Sequence, residues 1–392
     1  MPDSMQNISV EDQVFMTRAI ALAKRGLYTA NPNPMVGCVL VSEGRIIGEG
    51  WHQIAGEAHA EINAIADAKK RGHETKAASA YVSLEPCSFQ GKTGPCSEAL
   101  ITAGIKKVFY AMQDPNPQVA GRGVEQMREA GIDVIGPVLE KDAREINPGF
   151  IKRMEQGLPF VRIKMAMSLD GRTAMSSGES KWITGPNARS DGQRLRARSC
   201  AIVTGIETVL HDDPLLNVRA EELQVEMSEH LGHRQPLRVV LDSRGRLNKN
   251  ARMFSIPGEV VLGTLSGSSV DAELGKNVTR VDLDPKANKS RNSKPEEKSQ
   301  QVDLKKLLQY LASRQCNEVL VEAGATLAGQ FIQQGLVDEI IVYMAPKLMG
   351  SNARPVFELP IESMAGKLSL RISDVRAIDQ DWRITATIDP ES

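Results

Sequence analysis

Apolar runs and amphipathic stretches alternate along the first 150 residues of the chain. Short apolar runs at 36–41, 45–51, 79–84, 107–111 and 132–135 predict strands, the first two joined by a hairpin turn at 42–44. Apolar positions with helical spacing predict helices over 9–22, 59–72, 96–103 and 124–130. This alternation of strands and helices predicts a three-layer α/β domain spanning residues 1–150.

A second alternating pattern follows a helical connector at 137–157, which ends at the turn Gly157-Leu158-Pro159. Apolar runs at 160–167, 201–204, 237–241, 260–262, 318–321 and 339–344 predict further strands, with helices between them. A second α/β domain is therefore expected over residues 158–392. Within it, residues 285–301 contain almost no apolar side chains, which is typical of a mobile surface loop.

Charge and cysteine content narrow the classes of function. The 392 residues include 48 lysines and arginines and 49 aspartates and glutamates, so the formal net charge is −1. That balance gives no general attraction for nucleic acid. No signal-peptide layout opens the sequence, no apolar run reaches membrane-spanning length, and the five cysteines are odd in number. We therefore expect a soluble cytoplasmic protein that acts on small molecules, without nucleic-acid or membrane partners.

A histidine, a glutamate and two cysteines form a pattern typical of a zinc hydrolase. His59 and Glu61 lie at the predicted start of one helix, and Pro86-Cys87 is expected to open the next, with Cys96 nine residues further on. One imidazole and two thiolates suit Zn²⁺ and leave its fourth tetrahedral position for water. Zinc lowers the pKa of bound water, and Glu61 is suited to move the released proton to departing ammonia.

Zinc deaminases of nucleobases carry the related pattern H-x-E followed by P-C-x-x-C. Here eight residues separate Cys87 from Cys96, so the loop between them has room for contacts specific to the substrate. A purely structural zinc site normally has four protein ligands. His52 is either a fourth ligand or a substrate contact, and His73 is expected to be solvated. The remaining cysteines are expected in the core: Cys38, Cys200 and Cys316.

Four motifs resemble the pyrimidine deaminase half of the bifunctional riboflavin-biosynthesis deaminase/reductase family: NPNPMVG at 31–37, GWH at 50–52, HAE at 59–61 and EPCSFQGKTGPC at 85–96. The GKTGPC stretch is more similar to this branch than to the tRNA-adenosine or cytidine deaminases. The resemblance implies a cytidine-deaminase-like three-layer α/β/α fold that holds one zinc ion. The implied roles are metal binding by His59, Cys87 and Cys96, acid and base catalysis by Glu61, and substrate contact by Asn33 and His52.

An apolar strand at 318–321 runs into the turn EAGAT and then a helix. Small residues at such a turn let a ligand approach the backbone, and free N–H groups at a helix start bind anions. A tight strand-to-helix connection, with glycine for geometry alone, explains the pattern equally well. No GxGxxG motif follows the first strand, so a Rossmann dinucleotide site is not predicted.

Motifs of the second half are similar to the reductase half of the same family: KMAMSLDG at 164–171, SGESKWIT at 177–184, TGIET at 204–208, DDPL at 212–215 and VEAGATLAG at 321–329. The resemblance implies a dihydrofolate-reductase-like α/β fold that uses NADPH. The residues implied to border the cofactor are Ala166, Trp182, Thr208, Asp212, Ser243, Gly324, Ala325, Thr326, Leu327, Ala328, Gly329 and Gln330. Those implied to border the substrate are Ser180, Arg196, Leu215, Arg219 and Glu322.

Three basic side chains have a chemical role in such a reductase. Lys164 is a candidate for polarising or protonating the sugar carbonyl as hydride arrives, and a surface lysine at a strand end is the alternative. Arg196 and Arg219 offer fork-shaped donors for a substrate phosphate. As isolated residues, both fit ordinary surface arginines equally well.

The family resemblance implies that the chain removes an amino group from a phosphoribosylated diaminopyrimidinone and then reduces the ribosyl side chain to ribityl. A homo-oligomer assembled through the reductase domain is also expected. Two alternatives remain: a nucleoside or tRNA deaminase with an unrelated second domain, and a structural zinc module attached to a nucleotide-binding sensor. The near-neutral charge disfavours tRNA, while Glu61 and the missing fourth ligand disfavour a structural site.

Overall fold

The computed structural model of the chain describes residues 8–89, 94–117, 119–223, 234–270, 274–285 and 301–389. The polar segment at 285–301, predicted as a surface loop, therefore lies almost wholly outside the described residues. The chain divides into two compact units, Met1–Gly157 (unit 1) and Leu158–Ser392 (unit 2). Within the described ranges, no helix is long and apolar enough to cross a membrane.

Unit 1 is built on one mixed sheet. Its strands are β1 (Gly37–Ser42), β2 (Arg45–Trp51), β3 (Ser79–Val82), β4 (Lys107–Tyr110) and β5 (Asp133–Ile135). Its helices are α1 (Val10–Ala23), α2 (Ala60–Lys70), α3 (Cys96–Thr102), α4 (Arg122–Glu129), α5 (Glu140–Ile146) and α6 (Pro148–Gln156). The described strands lie in the order β2-β1-β3-β4-β5. β1 is antiparallel to both neighbours, and β3, β4 and β5 run parallel.

Alternate side chains of β1 fill two different cores, because successive residues of a strand point to opposite faces of the sheet. Val39 packs with Phe15 of α1 on one face. Cys38 and Leu40 pack with Ala64 of α2 on the other. Since helices cover both faces, unit 1 has the three layers, α/β/α, that the sequence predicts.

Unit 2 is built on a larger, mainly parallel sheet. Its strands are β6 (Phe160–Ser168), β7 (Arg172–Ala174), β8 (Ala201–Gly205), β9 (Leu237–Leu241), β10 (Val260–Thr264), β11 (Val278–Asp282), β12 (Glu318–Val321), β13 (Glu339–Ala345), β14 (Arg354–Pro355), β15 (Leu370–Ile378) and β16 (Asp381–Ile388). Its described helices are α7 (Pro186–Arg198), α8 (Ile206–Asp212), α9 (Leu304–Ser313) and α10 (Ala325–Gln333). Strand order in the main sheet is β11-β10-β9-β8-β12-β6-β13-β16-β15, and β7 pairs with β14 separately.

Helices cover both faces of this sheet as well. Val203 of β8 packs with Phe331 of α10 on one face, and Ile202 packs with Val209 of α8 on the other. From β11 to β13 all neighbouring strands are parallel. The carboxyl ends of these strands therefore lie along one edge, which is where open α/β sheets bind ligands.

The hairpin of β15 and β16 differs from the sequence-based prediction, which has no strand after residue 344. The two strands pair antiparallel, and β16 pairs with β13. β15 is an edge strand whose side chains, including Leu370, Ile372 and Val375, are mostly exposed. Its alternation of apolar and polar residues is interrupted by a register shift between Ile372 and Asp374, so no continuous alternating run marks this strand in the sequence.

A buried ionic network lies at the amino ends of β6, β12 and β13. Arg162, which is 2% exposed, donates to Glu318 at 2.8 Å and also to Glu339. Arg198 donates to both carboxylate oxygens of Glu318, at 2.9 and 3.0 Å. Burial alone raises the pKa of Glu318, but the two guanidinium groups outweigh it and bring the pKa to about 2. The buried charges of the network therefore compensate one another, because each arginine is paired with a glutamate of the same network.

Arg162→Met is expected to destabilise unit 2 by about 3 kcal/mol, the low end for breaking a buried ion pair, since Arg198 still holds Glu318. The folded pKa of Glu318 lies below the usual value of 4.5. Its stabilisation is therefore complete above about pH 4.5 and is lost as pH falls toward 2. Urea unfolding at pH 7 and pH 3 measures both effects. Arg371→Met, at an exposed arginine, is the control, and equal stability of the two variants would contradict the assignment.

Candidate active sites

His59, Cys87 and Cys96 come together in unit 1 where two helices begin. His59 is the N-cap of α2, and Cys96 is the first residue of α3. The Nδ1 atom of His59 lies 3.2 Å from Sγ of Cys96 and 3.6 Å from Sγ of Cys87. A tetrahedral zinc ion at ordinary bond lengths separates a nitrogen from a sulfur ligand by about 3.6 Å. The three donor atoms therefore fit one zinc ion, and no further ligand joins the group among the described residues.

One sequence-based prediction is wrong for the loop that carries Cys87. Pro86 and Cys87 do not open a helix: the described residues 83–89 have no regular secondary structure, and α3 begins at Cys96. Proline is common at the first position of a helix, but here it lies in an irregular segment packed against α4. A Cβ on Gly123 of α4 would lie only 2.0 Å from the Pro86 carbonyl oxygen. This close approach positions the Cys87 loop and requires glycine at position 123.

The surroundings of Cys87 favour its thiolate, the form that binds metal. The Cys96 thiol and backbone N–H and the His59 ring all face the Cys87 sulfur, with the Cys96 nitrogen at 3.4 Å. Hydrogen bonding from Cys96 is the largest of these effects, and together they hold the pKa of Cys87 well below that of an ordinary thiol. Cys87 is therefore preorganised as a metal ligand.

Glu61 lies on the first turn of α2, next to the three donors but outside their group. Its side chain is almost fully buried, with 3% exposed. Burial raises the pKa of Glu61 to about 7, and the negative charge of Cys87 adds to the rise. A carboxyl group with a pKa near neutrality can accept and return a proton, which is the property needed of a general acid and base.

His52 lies beside the zinc-binding group and is not part of it. Its Nδ1 is 3.2 Å from the Ala58 carbonyl oxygen, which can only accept, so Nδ1 carries the proton. Its Nε2 therefore accepts from the Asn33 amide at 3.1 Å. Burial lowers the pKa of His52, which favours this neutral form. Both ring nitrogens are thus engaged, and the Asn33 amide oxygen is left to face other groups.

Two buried carboxyl groups of the same region are absent from the sequence-based candidates. Asp114 is 7% exposed, and burial raises its pKa to about 6, with Glu85 and Cys87 adding to the rise. Glu85 accepts from the backbone N–H groups of Asp114, at 3.3 Å, and Gly121, at 3.0 Å. The sequence feature that could have identified Asp114 is the motif DPNP at 114–117. It follows β4 and resembles the repeated Asn-Pro pairs of 31–34.

Several candidate residues of unit 2 lie at or just after the carboxyl ends of four adjacent parallel strands, β9, β8, β12 and β6. Ala166 lies in the second half of β6, Ser243 follows β9, and Glu322 follows β12. Thr208 and Asp212 lie on α8, which begins directly after β8, and Leu215 and Arg219 lie in the segment after it. Arg219 contacts Glu222 at 2.8 Å.

Lys164, Glu322 and Arg196 form a charged group at the centre of this edge. Arg196 donates Nε and Nη2 to the two oxygens of Glu322, at 2.7 and 2.9 Å, and Nη1 to the Asn217 carbonyl at 3.0 Å. Burial raises the pKa of Glu322, but Arg196 and then Lys164 outweigh it and bring the pKa to about 2. The fork of Arg196, expected to face a phosphate, is thus occupied by a carboxylate.

Lys164 is not an exposed lysine at a strand end. It is the fifth residue of β6, and its Nζ lies 5.8 Å from the centre of the buried Tyr343 ring. Burial lowers the pKa of Lys164, and Arg196 lowers it further against the opposing effect of Glu322. A lysine with a lowered pKa releases its proton more readily than an ordinary one, which suits a proton donor at this position.

The residues of the run 324–330 contact different parts of unit 2. Gly324 caps α10, and Leu327 lies 3.4 Å from the position of a Cβ on Gly205 at the end of β8, so the turns after β8 and β12 adjoin. Thr326 instead donates to Glu358 at 2.7 Å, and a Cβ on Gly329 would lie 2.1 Å from the Glu358 carbonyl. Ala325 and Ala328 are buried, and Gln330 lines a cleft of about 540 Å³ with Thr326 and Phe357.

Comparison with known proteins identifies relatives over almost the whole chain. The family model described as the cytidine and deoxycytidylate deaminase zinc-binding region matches residues 9–112, and that of the RibD C-terminal domain matches residues 159–384. The riboflavin biosynthesis protein RibD of Escherichia coli is 46% identical over 377 residues, 95% of this chain and 98% of that protein. RibD of Haemophilus influenzae is 46% identical over 387 residues, 98% of this chain and 99% of that protein.

Solved structures give the same result. RibD of Acinetobacter baumannii superposes with a TM-score of 0.86 at 45% identity and covers 97% of this chain and 99% of its own. A diaminohydroxyphosphoribosylaminopyrimidine deaminase/5-amino-6-(5-phosphoribosylamino)uracil reductase of Thermotoga maritima superposes with a TM-score of 0.80 at 33% identity, covering 96% and 98%. The similarity therefore extends over both units.

Proposed function

The chain belongs to the RibD family of riboflavin biosynthesis proteins, and from that membership we propose which residues of each unit perform its two reactions. The protein is a bifunctional deaminase and reductase of riboflavin biosynthesis. The match to the RibD C-terminal domain contradicts the alternative of an unrelated second domain. We assign the deaminase to residues 1–150 and the reductase to residues 158–392.

The deaminase acts on a phosphoribosylated diaminopyrimidinone, replacing its ring amino group with oxygen from water. The cluster of His59, Cys87 and Cys96 beside the buried Glu61 supports this proposal most strongly. Zinc held by those three ligands supplies Lewis acidity, which makes water acidic near neutral pH. Glu61 would take one proton from water and pass it to a ring nitrogen as the C–O bond forms. It would then pass the remaining hydroxyl proton to the amino group, which leaves as ammonia as the C–N bond breaks and the C=O bond forms.

Asn33 and His52 are proposed to orient the pyrimidine. Their mutual hydrogen bond turns the Asn33 amide so that its oxygen remains an acceptor, which suits an amino or ring N–H group of the substrate. The neutral His52 fixes this orientation through its second bond to the Ala58 carbonyl. Both are therefore assigned to substrate recognition.

The reductase converts the ribosyl side chain of the deaminated product to ribityl. NADPH supplies the hydride for this reaction. Lys164 is proposed to hold its proton at the sugar carbonyl oxygen, so that the oxygen is protonated as the carbon receives hydride. Glu322 and Arg196 position Lys164 and meet the sugar, with Ser180, Leu215 and Arg219 also bordering the substrate.

The cofactor is proposed to lie across the adjoining turns after β8 and β12. These turns support the assignment because no side chain caps the N-terminus of α10, and an added Cβ on Gly324 would meet no atom within 4 Å. Free backbone N–H groups at such a helix start bind phosphates. The residues assigned to the cofactor are Ala166, Trp182, Thr208, Asp212, Ser243, Gly324, Ala325, Thr326, Leu327, Ala328, Gly329 and Gln330.

Copies of the chain are proposed to associate through unit 2. The edge strand β15 supports this, since its outer backbone edge is unpaired among the described strands and exposes Leu370, Ile372 and Val375. Exposed apolar edge strands are normally covered in natural proteins.

The direct test incubates purified protein of known zinc content with the diaminopyrimidinone substrate and follows ammonia release and NADPH oxidation separately. We expect ammonia release without NADPH, and NADPH oxidation only after ammonia release or with deaminated substrate supplied. NADPH oxidation that precedes ammonia release on the diamino substrate would contradict the proposed order.

Arg196→Lys is expected to raise the KM for the pyrimidine substrate of the reductase about tenfold, with the KM for NADPH nearly unchanged. Lysine keeps the charge but lacks the planar fork that holds both oxygens of Glu322 and the Asn217 carbonyl, so the substrate-facing group loses its fixed geometry. Steady-state kinetics with each substrate varied in turn measure both constants. Arg194→Lys, on the same helix, is the control. An equal rise in both KM values would place Arg196 at the cofactor instead.

A further inference from the structure

The loop 177–184, between β7 and α7, carries two residues assigned to the reductase site, Ser180 and Trp182. It contains no regular secondary structure. The side chain of Trp182 is 66% exposed, so no hydrophobic core holds the indole in place. An exposed aromatic ring that borders a cofactor must be positioned through its own backbone or by its neighbours.

Three side chains fasten the end of this loop. Lys347 donates Nζ to the carbonyl oxygens of Trp182 and Ile183, at 2.9 and 2.7 Å. The Gly185 N–H donates to Asp381 at 2.7 Å. The Arg189 guanidinium lies 4.4 Å over the Trp182 ring. Of these contacts, only the one from Lys347 binds the Trp182 backbone itself.

Lys347 is itself attached to the main sheet. It lies two residues after the end of β13, and its backbone N–H donates to the Ala345 carbonyl at 2.8 Å. Its carbonyl accepts from the Leu169 N–H at 2.9 Å, in the turn after β6. Asp170 in that turn accepts from the Gly350 N–H at 2.8 Å. Lys347 therefore connects the ends of two central strands to an otherwise irregular loop.

We propose that Lys347 is a positioning residue of the reductase, which holds the Trp182 and Ile183 carbonyls so that the indole faces the nicotinamide cofactor. The inference rests on the proposed placement of Trp182 at NADPH. A lysine suits this role because its ammonium carries three donors and can bind two consecutive carbonyls at once. Arginine can also do so, whereas methionine keeps the length of the side chain and cannot donate.

Lys347→Met is expected to raise the KM for NADPH about tenfold, as the loss of hydrogen bonds from a charged donor allows, with kcat changed by less than about twofold. Lys347→Arg should restore most of the affinity. Ammonia release should be unchanged, because the deaminase lies in unit 1. Lys305→Met, which removes the same charge from an exposed position of α9, is the control and should leave both KM values unaltered.

A second measurement needs neither substrate nor cofactor. In a background with Trp51→Phe and Trp382→Phe, Trp182 is the sole tryptophan, since the chain has three. Lys347→Met should lower the fluorescence anisotropy of Trp182 by freeing its backbone, and Lys347→Arg should not. Unchanged anisotropy would overturn the inference, and so would lowered anisotropy with an unchanged KM for NADPH.

Trp182→Ala separates this inference from the proposed function. If Trp182→Ala raises the KM for NADPH and Lys347→Met does not, the positioning role of Lys347 is wrong while the cofactor assignment stands. If Trp182→Ala leaves that KM unchanged, the cofactor placement of Trp182 is wrong and the inference falls with it.

Discussion

Glu61→Gln is expected to lower the rate of ammonia release by a factor of about 10²–10⁴, the usual effect of removing a general acid and base. Glutamine preserves the size of the side chain and its hydrogen bonding in a position that is only 3% exposed. It cannot exchange a proton between water and the pyrimidine. Because Glu61 lies outside the ligand group, zinc content should stay near one ion per chain.

Glu57→Gln provides the matched control for this result, since it makes the same chemical change at an exposed position two residues before His59. Its ammonia release should equal that of the unaltered protein. Reduction of already deaminated substrate by Glu61→Gln should also be normal. Ammonia release within about threefold of normal in Glu61→Gln would exclude the assigned role.

Removing zinc is expected to abolish ammonia release and to leave NADPH-dependent reduction of deaminated substrate intact. All three proposed ligands lie in unit 1, and every residue assigned to NADPH lies in unit 2. Cys87→Ser should have the same effect as a chelator, because serine does not ionise to replace the thiolate that Cys96 stabilises. Zinc content, ammonia release and reduction are measured on the same preparation.

Cys200→Ser is the control for the loss of a thiol, since Cys200 lies in unit 2 and should leave zinc bound. Full zinc occupancy in Cys87→Ser would mean that the ligands are assigned wrongly. Loss of both activities on chelation, with circular dichroism unchanged, would contradict the division of one reaction to each unit.

Local patterns in the sequence were sufficient to predict much of the fold and the metal site of unit 1. The apolar run at 36–41 predicts β1, which is buried on both faces, and the helix predicted over 9–22 is α1, where Ser9 and Asp12 form a capping box. The zinc donors follow from residue type because imidazole and thiolates are the usual ligands of zinc. Each of these features depends on residues close in sequence or on a distinctive chemistry.

The remaining features depend on contacts that a sequence does not display. Arg196 and Glu322 are 126 positions apart, so the occupied fork of Arg196 becomes visible only when α7 and β12 are folded together. The irregular course of Pro86 depends on packing against Gly123. The raised pKa of Asp114 depends on burial and on Glu85, which is 29 positions away in the sequence.

The two ends of strand β12 have different roles: the first residue contributes to stability, and the residue after the strand belongs to the reductase site. The strand begins at Glu318, in the buried ionic network, and is followed by Glu322, in the reductase site. Four residues of extended chain place the Cα atoms of these two glutamates about 13 Å apart. Substitutions beside Glu318 should therefore change the melting temperature with little effect on turnover. Substitutions beside Glu322 should change turnover with little effect on the melting temperature. In directed evolution, stabilising substitutions at the amino end of the sheet can therefore offset the loss of stability caused by substitutions at the carboxyl end.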